Sequence, residues 1–300
     1  MTQTDVLDRK ALASASRYMG EVAWLTIILG LVFGAGYVAT VAMALTGTLS
    51  LFVAVPLVAL LTYLNYTILH ESVHGSISGN RSSLRWVNKA MGYVAAWILM
   101  IPLTAHRHEH TAHHRHTNDG AADPDFHIGR MRNSLPAAVW ATIRTAVAQF
   151  SFYSKNRWQN ATTKQNLVLC LEVGAALVPR LAILAAGYWV EFLALFVFAW
   201  LIGATVLMYL FAYIVHRPHE KVGRYADTST ILLPRPLHTA VTWLWLFQNY
   251  HSIHHLFPRV PFYRYAELYE EIEGVMEAKG APVYRITLRG LEPSSPTLAS

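Results

Sequence analysis

Residues 22–45, VAWLTIILGLVFGAGYVATVAMAL, form a run of 24 without one charged side chain. As a helix such a run reaches about 36 Å, enough to cross a hydrocarbon core of about 30 Å. Four residues, TGTL, separate it from a second uncharged run at 50–69, and a link so short makes the two antiparallel neighbours. A second pair of apolar runs lies at 166–187 and 190–214, divided by little more than Tyr188 and Trp189. The whole chain is 54% hydrophobic and 14% charged, whereas a soluble domain carries about 25% charged residues. The expected fold is therefore an all-α integral membrane protein, with four transmembrane helices in two hairpins.

Between the pairs, residues 75–165 carry eleven Lys or Arg against four Asp or Glu, and the tight links carry no Lys or Arg. The excess of basic residues places this segment and both chain ends in the cytoplasm. A single domain over 1–300 results, with a cytosolic-face helical cap made of 70–165 and 215–280. The apolar stretch 87–103 is 17 residues long, too short for a comfortable crossing, and reads as re-entrant or interfacial. Residues 134–153 and 237–248 read as interfacial. Glu172 and Arg180, eight residues apart in the third run, share a helix face and are expected to pair near the bundle interior. The N-terminus lacks a basic region followed by an apolar core and cleavage site, and reads as a short cytoplasmic lead-in. An amphipathic helix is expected after Tyr265, and a disordered tail over about 290–300.

One cysteine, Cys170, excludes an intramolecular disulfide framework and a cysteine-ligated cluster. Fifteen histidines are the stronger signal. His70 and His74 stand at i, i+4; His110, His113 and His114 form H-x-x-H-H, and so do His251, His254 and His255. On a helix each set presents its imidazoles to one side. All three follow membrane runs on the same expected face, where His216 closes the fourth run. His219 competes with His216 for a ninth position. Nine imidazoles exceed the four ligands of a tetrahedral zinc and suit two metals of higher coordination with open positions. Imidazole itself does not choose among zinc, copper, iron and nickel. Asp119, Asp123 and Asp125, with Asn118 and Asn249, are expected to cap helices or hydrogen-bond the ligand imidazoles.

LHESVHGS (69–76), RHEHTAHHRHTND (107–119), HRPHE (216–220) and QNYHSIHHLFPRVPFYRY (248–265) resemble the histidine boxes of the membrane fatty-acid desaturase and hydroxylase superfamily. The last two are closest in form to cyanobacterial-type beta-carotene hydroxylases and related bacterial desaturases. The resemblance implies a di-iron centre of two iron ions, held by His70, His74, His110, His113, His114, His251, His254 and His255, with His216 as the extra ligand. It also implies O2 as co-substrate, a lipid from the bilayer (fatty acyl chain or carotenoid) as substrate, and a separate ferredoxin-like electron donor. A bacterial inner membrane is the expected location, with no nucleic-acid partner. No catalytic residue beyond the metal centre is expected. His70-Glu71-Ser72-Val73-His74 also spells the H-E-x-x-H of zinc proteases, with Glu71 as general base. That alternative leaves both H-x-x-H-H sets unused, so Glu71 is expected instead to hold a neighbouring imidazole. A membrane metal transporter, the other alternative, would place its ionisable residues along a path through the spans rather than at one interface.

Overall fold

The computed structural model describes residues 3–294. The chain opens with α1 (Gln3–Ser16), followed by α2 (Trp24–Leu45) and α3 (Leu51–His74). Two shorter helices come next, α4 (Arg85–Leu99) and α5 (Leu103–His116), then α6 (Leu135–Asn156) and α7 (Thr163–Ala185). A continuous helical stretch, α8 (Trp189–Tyr213), precedes α9 (Arg235–Leu244), α10 (His251–Leu256) and α11 (Tyr265–Ala278). Among the described residues, α2, α3, α7 and α8 are long and apolar enough to cross a membrane, and they coincide with the four expected runs. Their outward faces carry exposed Ile28, Leu31, Val32, Leu171, Val178 and Leu181, a surface suited to lipid rather than water.

Helix α3 packs against α2, α4 and α8 and is the centre of the bundle. It continues five residues past the expected run, so His70 and His74 ride on the same rigid helix as the span below them. Against it, α8 crosses with almost no clearance: a Cβ added at Gly203 would stand 2.4 Å from the Ala59 carbonyl oxygen. The backbone of α8 is α-helical over Trp189–Glu191 and Trp200–Leu207 and widens to π-helical bonding over Phe192–Ala199 and Met208–Tyr213. Widened turns of this kind re-aim the residues that follow, here the chain leading into His216.

The apolar stretch at 87–103 does not continue straight. Helices α4 and α5 meet at 94° across Met100–Pro102, with Met100 in the left-handed region (φ 56°) and Pro102 unable to donate to the turn before it. A helix break among apolar spans leaves bare carbonyls on one side and bare amides on the other. Two charged side chains of α7 satisfy them. Arg180 Nη2 donates to the Trp97 carbonyl (2.9 Å), and Trp200 Nε1 of α8 donates to that of Leu99 (2.8 Å). On the α5 side, the Thr104 backbone N–H and hydroxyl donate to Glu172 (3.0 and 2.7 Å). Glu172 and Arg180 therefore do not pair with each other, contrary to expectation. Each sits at the helix end of opposite partial charge, cation at the carbonyl end and anion at the amide end. This joint fixes the direction of α5, which carries the second histidine set.

The all-α expectation needs one addition. Strand β1 (Thr230–Leu232) pairs in parallel with β2 (Val283–Thr287), and β2 pairs antiparallel with β3 (Gly290–Pro293). Residues 290–293, expected in the disordered tail, thus close a short hairpin in which Thr287 faces Gly290. The remainder of that tail lies outside the described residues. The lead-in forms α1, strapped to α11 by Tyr18–Glu271 and Arg17–Glu271 contacts, while Asp8 pairs with Lys279 (2.9 Å) and accepts from Tyr225 (2.8 Å). Helix α6 exposes Trp140, Ile143, Val147 and Phe150 along one side, and α9 exposes Leu237 and Leu244.

Candidate metal centre

The C-terminal end of α3, helix α5, the segment after α8 and helix α10 converge on one buried pocket of imidazoles. His70, His74, His110, His114 and His254 each bring a ring nitrogen to within 4.8 Å of all the others, and His113, His216 and His255 do the same beside them. The two groups touch, with the His114 and His255 rings stacked at 4.2 Å.

The spacing within the groups is informative. His110 Nε2 stands 3.0 Å from His74 Nε2 and 3.0 Å from His114 Nε2, which is 3.0 Å from His254 Nε2. In the second group His216 Nε2 is 2.9 Å from His113 Nε2 and 3.3 Å from His255 Nε2. For a metal–nitrogen bond of about 2.1 Å, neighbouring ligands at 90° stand about 3.0 Å apart and tetrahedral ones about 3.4 Å. Most of the contacts match the edges of a five- or six-coordinate shell.

Hydrogen bonding on the outer side of the rings decides what these nitrogens can do. His113 Nδ1 faces the Asp123 carboxylate (2.9 Å) and His216 Nδ1 the Ala212 carbonyl (2.6 Å). Both partners only accept, so each Nδ1 carries a proton, and with both rings neutral, as metal ligation requires, each Nε2 presents a lone pair. Two such lone pairs at 2.9 Å repel unless a cation lies between them. The same outward anchoring holds His251 through Gln248 Oε1 (2.9 Å) and His254 through the Tyr265 hydroxyl (3.0 Å). Burial among other histidines keeps His254, His255 and His251 well below the ordinary imidazole pKa, hence neutral and able to ligate. His70 is the clearest orphan: fully buried, with neither ring nitrogen bonded. These residues fit a metal centre.

Of the nine expected ligands, eight fall into the two groups. His251 falls in neither, although its ring lies 4.9 Å from that of His216 and 4.8 Å from that of His255. His219 stacks on Tyr213 (5.1 Å) away from the pocket. His106 stacks on His110 at 5.2 Å but bonds Gln149, and belongs to neither group.

The supporting residues differ more from expectation. Asp123 does hold an imidazole, and the opposing pulls of burial upward and His113 downward leave its carboxyl below its ordinary pKa. Asp125 comes only to 4.0 Å of His113, with Oδ1 buried and unbonded. Asn118 donates its backbone N–H to Asp123 and its side chain to the Lys221 and Asp227 carbonyls, so it acts one step further out. Asp119 merely accepts from Ala121 N in a local turn. Asn249 donates to the Ile231 carbonyl of β1, and it is the preceding Gln248 that reaches a histidine. Glu71 is buried, but its oxygens accept from the Thr26 hydroxyl and the Phe262 backbone N–H, both at 3.2 Å. It joins α2 to the segment before α11 and bonds no imidazole, as a carboxylate in the last turn of α3 can do when the histidines face the other way. That geometry also removes it from the general-base role a zinc protease requires. Gln248 stands three residues before His251, a spacing visible in the sequence; Tyr265 has no such signal.

A family model described as fatty acid desaturase matches residues 46–287. Two curated relatives are fatty acid conjugase FAC2 B and fatty acid conjugase FAC2 A of Calendula officinalis, each 24% identical over 69% of this chain. The chain spans 63% of the length of each.

Proposed function

Because the chain belongs to the fatty acid desaturase family, we propose that it is a membrane oxidoreductase that uses O2 and external electrons to oxidise an unactivated C–H bond of a long-chain lipid. The observation that carries the reading is the mesh of facing Nε2 atoms about 3 Å apart. His70, His74, His110, His114 and His254 would hold one iron, and His113, His216 and His255 the other, with His251 beside the second. Such a pair supplies the reduction of O2 and the oxidising power for C–H cleavage. For desaturation the balance is R–CH2–CH2–R′ + O2 + 2 e⁻ + 2 H⁺ → R–CH=CH–R′ + 2 H2O. Insertion of one oxygen atom into the same C–H bond gives the hydroxylated product, R–H + O2 + 2 e⁻ + 2 H⁺ → R–OH + H2O.

The chain's own residues set the conditions. Asp123, the Ala212 carbonyl, Gln248 and Tyr265 fix the imidazole orientation, and the first three, whose oxygens only accept, hold the proton on Nδ1. Tyr66 and Phe211 cover His70 from the side of the spans, with ring centroids at 5.7 and 4.9 Å. They exclude water from His70 on that side. On the opposite side His74 lines an open cleft of about 460 Å³ bordered by Arg85, Lys89, Arg107 and Arg259. An acidic one-electron donor protein docks over this cleft on the cytoplasmic face, and electrons enter through the His74 ring.

The test is expression of the full chain with a redox donor in a lipid-profiled host and in a carotene-producing host. Loss of two hydrogens from a lipid by mass spectrometry supports desaturation, and gain of one oxygen atom supports hydroxylation. No change in either host, from protein that has kept its metal, refutes the reading.

A further inference from the structure

A second cleft, of about 650 Å³, lies outside the histidine pocket between the start of α6 and the last turns of α8. Its walls are apolar: Leu135 and Ala138 on one side, Val206, Tyr209 and Leu210 on the other. Leu135 is 73% exposed, and Val206 and Tyr209 remain partly exposed, so the walls continue into the outward apolar faces of both helices. Two guanidinium groups, Arg132 and Arg217, stand at its rim. Neither has a carboxylate partner among the described residues. Arg217 lies over the Tyr213 ring at 5.3 Å and makes only a long contact to its hydroxyl (3.4 Å), while its Nε is buried and unbonded. The Thr205 hydroxyl, also lining the cleft, is likewise buried without a partner. Both arginines act on the same neighbour: after burial, they are what pushes His219 down to about 4.

An apolar slot open to the bilayer with two uncompensated cations at one end selects an amphiphile with an anionic head. We propose that this cleft binds an anionic phospholipid of the surrounding bilayer, its phosphate between Arg132 and Arg217 and one acyl chain along Leu135, Val206 and Tyr209. Guanidinium groups present paired N–H donors that suit the non-bridging oxygens of a phosphate, and the volume lies in the range of sites that enclose a small ligand. A phospholipid is favoured over a protein partner because the walls are continuous with lipid-facing helix surface. The proposal goes beyond the metal chemistry and does not depend on it: it fixes how α6 seats against α8, beside the segment that carries His216.

The experiment uses the full chain reconstituted in nanodiscs of phosphatidylcholine with a minor share of phosphatidylglycerol, followed by native mass spectrometry of retained lipid. The wild-type protein retains one phosphatidylglycerol. Arg132→Gln with Arg217→Gln weakens retention by roughly thirtyfold, from the loss of two interfacial cations. Arg85→Gln with Lys89→Gln, the same charge change at the other basic cleft, leaves retention unchanged. Should the double variant fold poorly, judged by its metal content, the exposed Arg132→Gln alone still lowers retention several-fold. Equal retention in wild type and the arginine variants overturns the proposal, and so does an equal loss in the control pair. Preferential retention of added oleate over phosphatidylglycerol overturns the phospholipid assignment.

Discussion

Asp123→Asn tests whether the histidine pocket is two separable sites. In the native chain Asp123 Oδ1 accepts from His113 Nδ1 (2.9 Å) and from Asp125 N (2.9 Å), while Oδ2 accepts from Asn118 N (2.8 Å). An asparagine keeps the shape but has one accepting oxygen. If the oxygen faces His113, its NH2 meets the Asn118 N–H; if it faces Asn118, the NH2 meets the His113 Nδ1–H. The first orientation loses one hydrogen bond to a charged acceptor, about 1.5–3 kcal/mol, and is preferred because the second loses two, those from His113 and Asp125 N. Loss of such a carboxylate behind a ligand imidazole lowers metal affinity by about 10–100-fold, which is about 1.4–2.8 kcal/mol and agrees with that figure. The effect is confined to the second group, because none of the hydrogen bonds made by Asp123 reaches His70, His74, His110, His114 or His254. The assay is metal remaining per chain during titration with a chelator. Half of the metal should leave at a chelator concentration about 10–100-fold lower than in wild type, and the other half at the wild-type value. Loss of both halves together, or an unchanged curve, refutes the reasoning.

Three further outcomes follow from the same geometry. Glu172→Leu strips the Thr104 N–H and hydroxyl of their acceptor at the start of α5; thermal unfolding in detergent should show a loss of about 2–4 kcal/mol, with Glu172→Gln losing less, and a wild-type melting curve for the leucine variant would contradict the capping role. His219 is held neutral, its pKa falling from 6.5 to about 4 through burial and the neighbouring Arg217. Its folded-state value lies below the unfolded one, so its contribution is present above pH 6.5 and is lost as pH falls toward about 4; a denaturation series across that window should flatten in His219→Gln. For electron entry over His74, kcat/KM toward an acidic donor protein should fall as salt rises from about 50 to 500 mM, and Arg85→Glu with Arg107→Glu should remove most of that slope.

The features most legible in the sequence were those set by a solvent or by a repeat. Apolar runs near the bilayer thickness located α2, α3, α7 and α8, and helical spacing picked out seven of the eight histidines that meet in the two groups, His216 being found by its place at the end of the fourth run. Less legible were contacts made by residues far apart in the chain. Glu172 and Arg180 looked like a pair because they share a helix face, but the helix break at 100–102 offers each a nearer need. Glu71 looked like a companion to His70 and His74, yet i and i+1 neighbours on a helix point to different sides, and its partners are Thr26 and Phe262. Asn249 and Gln248 exchange roles for the same reason: three residues, not two, separate a helical side chain from the one beneath it. The strands at 283–293 were hidden because a parallel partner at 230–232 lies some fifty residues away, beyond any local pattern.

The central claim is that the imidazole pocket holds two metal ions in shells wider than tetrahedral. Elemental analysis with X-ray absorption on the detergent-purified full chain measures this directly. Two irons per chain are expected, with nearest neighbours dominated by imidazole nitrogens at about 2.1 Å and a coordination number of five or six. Loss of one ion in His216→Ala and of the other in His70→Ala is also expected. A single four-coordinate zinc per chain, or full metal retention in both variants, would contradict it.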